Sequence, residues 1–164
     1  MIICTYPPYS SRHGYCLRKI RVELSWRFLT LNGNKGIAMT GRCGRLLIAE
    51  RGCELARGLT PWLEEQGHEC KTVDNIKDVL ITLQNEKFNV LVMDAKLPEE
   101  MGYEAISIIK GHHRKLPIII TADENNPEQE SRIRQKGIFY YHVISFGMDE
   151  LILAISNAMV RSAQ

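Results

Sequence analysis

Asp94 is the residue best placed to do chemistry. It follows the apolar run FNVLVM and opens the segment DAKLPEEMGYE. A carboxylate there is desolvated on its strand side and faces a loop on the other. Two uses suit that position: bonding loop amides ahead of the next helix, or presenting a reactive acid. Pro98 stiffens the loop and Gly102 permits a tight turn before the helix. Other residues stand at comparable places: Glu50 and Arg51 after RLLIA, Thr121 to Glu124 after PIII, and Ile144 to Phe146 after the last apolar run. Metal chemistry is less legible. His112 and His113 are adjacent, so they share no helix face, and with Lys110, Arg114 and Lys115 they read as a solvated basic loop. Cys4, His13 and Cys16 match no zinc spacing, and the five cysteines contain no CxxC pair.

The elements that must position these residues follow from periodicity. From residue 45, short apolar runs alternate with helix-like segments. Strands are predicted over 45–49, 69–73, 88–93, 117–120 and 139–144. Helices are predicted over 53–66, 75–85, 103–110, 127–136 and 148–160. Leu55, Leu59, Trp62 and Leu63 share one face of the first helix, which Gly67 should stop. Pro61 lies inside it and is expected to kink it, at a cost of about 3 kcal/mol if the helix stays straight. The runs at 88–93 and 117–120 are apolar on both faces, as buried parallel strands are. Gly137 can cap the fourth helix.

Five βα units with right-handed crossovers make an α/β, flavodoxin-like, doubly wound (βα)5 sheet of five parallel strands in a single domain. In such sheets, sites form beyond the carboxyl ends of the strands. Glu50, Arg51, Asp94, Lys96 and Thr121 should therefore meet at one edge.

Composition is consistent with this. The chain has 164 residues, 45% hydrophobic and 24% charged, close to the globular average. That excludes a collagen, a wholly disordered chain and a coiled coil. No stretch approaches the ~18 to 20 apolar residues of a membrane helix. Net charge is +2, which alone implies no special partner. The charge is uneven, however. Residues 1–38 hold six basic residues and one acid, Glu23. Residues 1–43 thus read as a basic N-terminal extension, disordered or not part of the natural product, and 44–164 as the folded domain. A translation start at Met39 would account for the break. An odd number of cysteines without a signal-like start points to a reducing, cytoplasmic setting.

The segment around Asp94 resembles the receiver domains of two-component response regulators. Those have an aspartate ending the third strand, a proline four residues on, a glycine eight on and often a glutamate ten on. Asp94, Pro98, Gly102 and Glu104 fit each spacing. The resemblance implies that Asp94 is the phosphoacceptor for a histidine kinase or phosphotransfer protein. It implies Mg²⁺ held by Glu50, Asp94 and the main-chain carbonyl of Lys96. It makes Thr121 and Tyr141 the switch residues. The chemistry is consistent: a carboxylate attacking a phosphoryl group needs cations to neutralise developing charge, and Mg²⁺ takes hard oxygen ligands.

The sequence departs from that pattern at two pocket positions. Arg51 stands where the family has a second acid, which should weaken Mg²⁺ by electrostatics. Ile144 and Ser145 replace the family's Lys-Pro pair, while Phe146 fits. The run LPIIITA is also one residue short before Thr121. Arg51 is expected to pair with Asp94 or Glu50, or else to serve as a built-in cation. Asp123 or Glu124 as replacement ligands are a weaker reading than loop acids facing water.

Two functions fit. One is a stand-alone receiver-like protein in phosphorelay signalling, acting on a downstream protein partner through the surface of the last two helices and strand. The other is a phosphorylation-independent pseudo-receiver that serves as a binding module. An enzyme is disfavoured, because the Gly-rich phosphate loops are absent and no Ser-His-Asp or Cys-His pairing is legible. A homodimer is admitted; a membrane partner is not expected. The basic extension could touch nucleic acid, but a disordered tail is the commoner meaning of such a segment.

Overall fold

A computed structural model describes residues 43–97 and 103–163. Its elements run in strict alternation: β1 (Arg45–Ala49), α1 (Glu54–Gln66), β2 (Glu69–Val73), α2 (Ile76–Asn85), β3 (Val90–Asp94), α3 (Glu104–His112), β4 (Ile118–Ala122), α4 (Pro127–Arg134), β5 (Tyr140–Val143) and α5 (Met148–Ser162). The strands form one sheet in the order β2-β1-β3-β4-β5, every pair parallel. This is the α/β doubly wound sheet expected from the alternation. The N-terminal extension lies outside the described residues, except for Cys43.

Side-chain alternation divides the core in two. Leu47, Ala49, Leu91, Met93, Ile118 and Ile120 face α2, α3 and α4. Leu46, Ile48, Val90, Val92 and Ile119 face α1 and α5. Covering both faces explains why β3 and β4 read as continuous apolar runs rather than alternating ones. α1 contributes Leu55, Leu59 and Leu63, and α5 contributes Leu151, Ile155 and Ala158.

Element ends differ from expectation in informative ways. α2 begins at Ile76 because the Asn75 side chain caps it, accepting the Asp78 N–H at 2.8 Å. α1 runs through Pro61 as one helix. Pro61 is exposed there, so the Arg57 carbonyl it leaves unbonded can face water. β3 starts later than predicted, at Val90. Just before it, the Asn89 side chain accepts the Arg45 N–H at 2.8 Å while its own N–H donates to the Arg45 carbonyl at 2.8 Å, tying the start of β1 to the start of β3. β5 stops at Val143, and Ile144 opens a single 3-10 turn through Phe146.

His142 is the buried titratable group that the fold must accommodate. It is 1% exposed, on the α5 side of β5. Its Nδ1 has no hydrogen-bond partner among the described residues. Burial lowers its pKa below the ordinary 6.5, opposed only by Glu150. A base with a depressed folded pKa contributes its full stability above the unfolded value. That stability is lost as pH falls from about 6.5 towards the folded value, by up to about 1.4 kcal/mol per pH unit. His68, lowered by burial, acts in the same sense. Urea unfolding at pH 7.5 and 5.5 should show the loss, and His142→Phe should reduce it. An equal loss in the variant would assign the effect to other groups.

Candidate functional site

Register builds the site. Asp94 lies opposite Thr121, and Thr121 opposite His142. Ala49 pairs with Met93, so Glu50 comes next to Asp94 at the same edge. With strands about 4.8 Å apart, Glu50, Asp94 and Thr121 are near neighbours, as expected. A cavity of about 670 Å³ opens above them, lined by Arg51, Asp94, Lys96, Asp123, Glu124 and Gln129 among others.

Asp94 is half-buried. Its Oδ1 accepts the Lys96 N–H at 2.9 Å. Burial pushes its pKa above the ordinary carboxylate value, and the Asp123 and Glu50 charges push the same way. The Lys96 N–H and ammonium oppose them. A carboxylate held partly desolvated at a strand end is a more basic oxygen nucleophile than one in water.

Glu50 has a second role. It is 7% exposed, and its two oxygens accept the Leu55 and Ala56 N–H groups at 3.0 and 2.8 Å. α1 needs this, because Cys53 at its N-cap makes no side-chain bond. The strand-end acid thus caps the helix that follows and complements its dipole.

The Lys96 ammonium pairs with Asp123, joining the loop after β3 to the loop after β4. Asp123 raises the Lys96 pKa first, with Asp94 and Glu124 adding to it. Thr121 is 1% exposed and sits within β4, which continues to Ala122. Tyr141 is buried, and its hydroxyl donates to Gln129 Oε1 at 3.1 Å. Gln129 Nε2 donates to the Tyr103 hydroxyl at 3.0 Å. Gln129 also lines the cavity, so it connects the pocket to the buried tyrosine. Nothing in the sequence marks this glutamine, since only the packing of α4 against β5 brings it between two tyrosines. Ile144 is 42% exposed at the position where the resemblance calls for lysine. Pro98 and Gly102 lie outside the described residues.

Among the described residues, no three His, Cys, Asp or Glu side chains gather closely enough to hold a metal ion. The available donors are of the oxygen type Mg²⁺ takes: the Asp94 carboxylate, the Lys96 carbonyl and the second lone pairs of Glu50. They fit the ion in kind, with Arg51 and the Lys96 ammonium opposing it.

The capping role makes Glu50→Ala destabilising by about 1–3 kcal/mol, since two helix N–H groups lose their acceptor. Urea midpoints of the two proteins measure this. An unchanged midpoint would show that water replaces the carboxylate without cost.

Comparison with known proteins agrees with this geometry. Residues 46–156 match the model of the response regulator receiver domain family. The DNA-binding transcriptional regulator NtrC of Proteus hauseri is 29% identical over 97 residues, covering 59% of this chain and 20% of that protein. The regulatory protein AtoC of Escherichia coli K12 is 26% identical over 115 residues, covering 70% of this chain and 25% of that one. The chain therefore spans about a quarter or less of the length of these relatives. A CheY-like receiver domain structure from Methanospirillum hungatei superposes with a TM-score of 0.66 at 20% identity, covering 74% of this chain and 98% of that one. The beryllofluoride-activated NtrC4 receiver dimer gives 0.64 at 20% identity, over 72% and 98%. With five βα units in register and an aspartate at the end of β3, the chain belongs to the response regulator receiver domain family.

Proposed function

We propose that this receiver acts in phosphorelay signalling with Asp94 as its phosphoacceptor. The observation that carries this reading is the Asp94 carboxylate, half-buried at the strand edge beside Thr121 and opening into the charged cavity. An Asp94 oxygen attacks the phosphorus of a phosphohistidine on a kinase or phosphotransfer protein. The P–N bond breaks, an aspartyl phosphate forms, and the imidazole takes up a proton. Thr121 and Tyr141 are the switch residues of this reading. The 61% exposed Phe146 belongs to the surface offered to a downstream protein, while Tyr141, 4% exposed, lies beneath it. A second copy of the chain is another partner in keeping with the family.

Mg²⁺, when bound, neutralises charge on phosphoryl oxygens. Glu50, Asp94 and the Lys96 carbonyl are the residues that would hold it, and Arg51 weakens that binding. Among the described residues, no helix is long and apolar enough to cross a membrane; a cytoplasmic setting remains part of the proposal.

The pseudo-receiver reading draws on Ile144, which offers no cation to a phosphoryl group, and on the Lys96–Asp123 pair that already occupies two pocket charges. Intact-mass analysis after treatment with acetyl phosphate and Mg²⁺ separates the two. The receiver reading expects one phosphoryl adduct, lost in Asp94→Asn. A folded wild-type protein that gains no adduct supports the binding module instead.

Arg51→Asp removes a positive charge from the cavity and restores a carboxylate. Mg²⁺ affinity should rise several-fold, measured by calorimetry, and adduct yield should rise with it. Equal affinity in the two proteins would place the Arg51 charge out of reach of the ion.

A further inference from the structure

A second cleft, of about 310 Å³, opens at the other end of the sheet. It lies between the C-terminal turns of α3 and α5 and the segments entering β4 and β5. Lys110, Arg114, Lys115 and Arg161 line it, over an apolar floor that includes Leu116 and Phe139. No carboxylate is among the lining residues. Lys110 stands in the last turn of α3 and Arg114 and Lys115 follow in the loop after it; only the docking of α5 adds Arg161, from a distant part of the chain.

Lys110 and Arg161 are held in place, Arg114 and Lys115 are exposed, and none of the four is neutralised. Lys110 Nζ donates to the Arg114 and Leu116 carbonyls at 3.2 and 3.1 Å. An ammonium has three donors, so one is left. The Arg161 guanidinium lies 5.6 Å over the Phe139 ring. Arg45, Lys71, Lys96, Arg132, Arg134 and Lys136 are all in salt bridges; among the described residues, none of these four is. Burial lowers the Lys110 pKa, and the like charge of Arg161 lowers it further. A bland account exists for part of this, because cations complement helix C-termini. The two helix ends supply only about half a negative charge each, however, which leaves most of four positive charges uncompensated.

We propose that this cleft binds a small oligophosphate anion. Two guanidinium groups can each take phosphate oxygens in pairs, and two ammonium groups add point charges. The apolar floor leaves room for a less polar part of the same ligand. The cleft and Asp94 lie at opposite ends of the strands, roughly 16 Å apart for five residues of parallel strand. The site is therefore separate from the phosphoacceptor pocket, and its existence does not depend on that pocket being active.

Inorganic pyrophosphate titrated by calorimetry at low salt is the test, with amide chemical shifts followed by NMR. Binding should shift amides in 110–116, 137–139 and around Arg161. Arg114→Ala and Lys115→Ala, both at exposed loop positions that the fold does not need, should each weaken it by about five- to tenfold. Arg161→Ala should weaken it as well, with some loss of packing on Phe139. No saturable binding would overturn the proposal. So would unchanged affinity in the loop variants, or shifts centred on 94–97 and 121–124. Binding of a DNA duplex without binding of pyrophosphate would also overturn it.

Discussion

The double burial of β3 is the constraint on which everything else rests. Val90, Leu91, Val92 and Met93 are fully buried, with β1 on one side, β4 on the other and helices on both faces. A strand so enclosed has no freedom of register, because a slip of one residue would exchange its two sets of side chains between two filled cores. Asp94 is the first residue of that strand to reach open space. Its position is set by the packing of four apolar residues before it, which is why a flexible surface acid cannot imitate it.

The cost of ending a buried strand on a charge is met locally. Asp94 takes a main-chain N–H from Lys96, and Glu50 alongside takes two from α1. Glu50 therefore serves stability and electrostatics at once. It holds the first turn of α1 and keeps a negative charge beside Asp94. Burial raises the Asp94 pKa, Asp123 and Glu50 add to it and Lys96 opposes them, so the pocket is a balance of burial and near charges rather than a simple acidic cluster. Arg51 lines the same cavity, and Ile144 stands 42% exposed just past β5.

The two ends of the sheet are chemically different. The carboxyl end gathers Asp94, Asp123 and Glu124 against Arg51 and Lys96. At the amino end, one cleft is lined by four cations and no acid, while Glu69 and Glu86 pair with Arg45 nearby. Parallel strands make such polarity natural, since all five enter at one edge and leave at the other. Between the ends, Gln129 ties Tyr141 to Tyr103, so a change at the pocket wall has a direct hydrogen-bonded route to the buried face of β5.

The sequence by itself determined the order of the elements and the edge at which Asp94 sits. Apolar runs at period two and helical faces at period 3.6 are local signals, and βα alternation leaves few ways to arrange them. The spacing from Asp94 to Glu104 was legible because those residues are near one another in the chain, as the resemblance needs. Strand and helix ends were less so, because side chains such as Asn75 and Asn89 compete with the backbone for its hydrogen bonds. Only the tertiary structure decided that Glu50 caps α1, that Lys96 reaches Asp123, that Gln129 joins two tyrosines and that Arg161 comes to the cleft lined by Lys110. Each of those contacts joins residues whose distance in space depends on the packing of separate elements, and no local pattern of residue types encodes it.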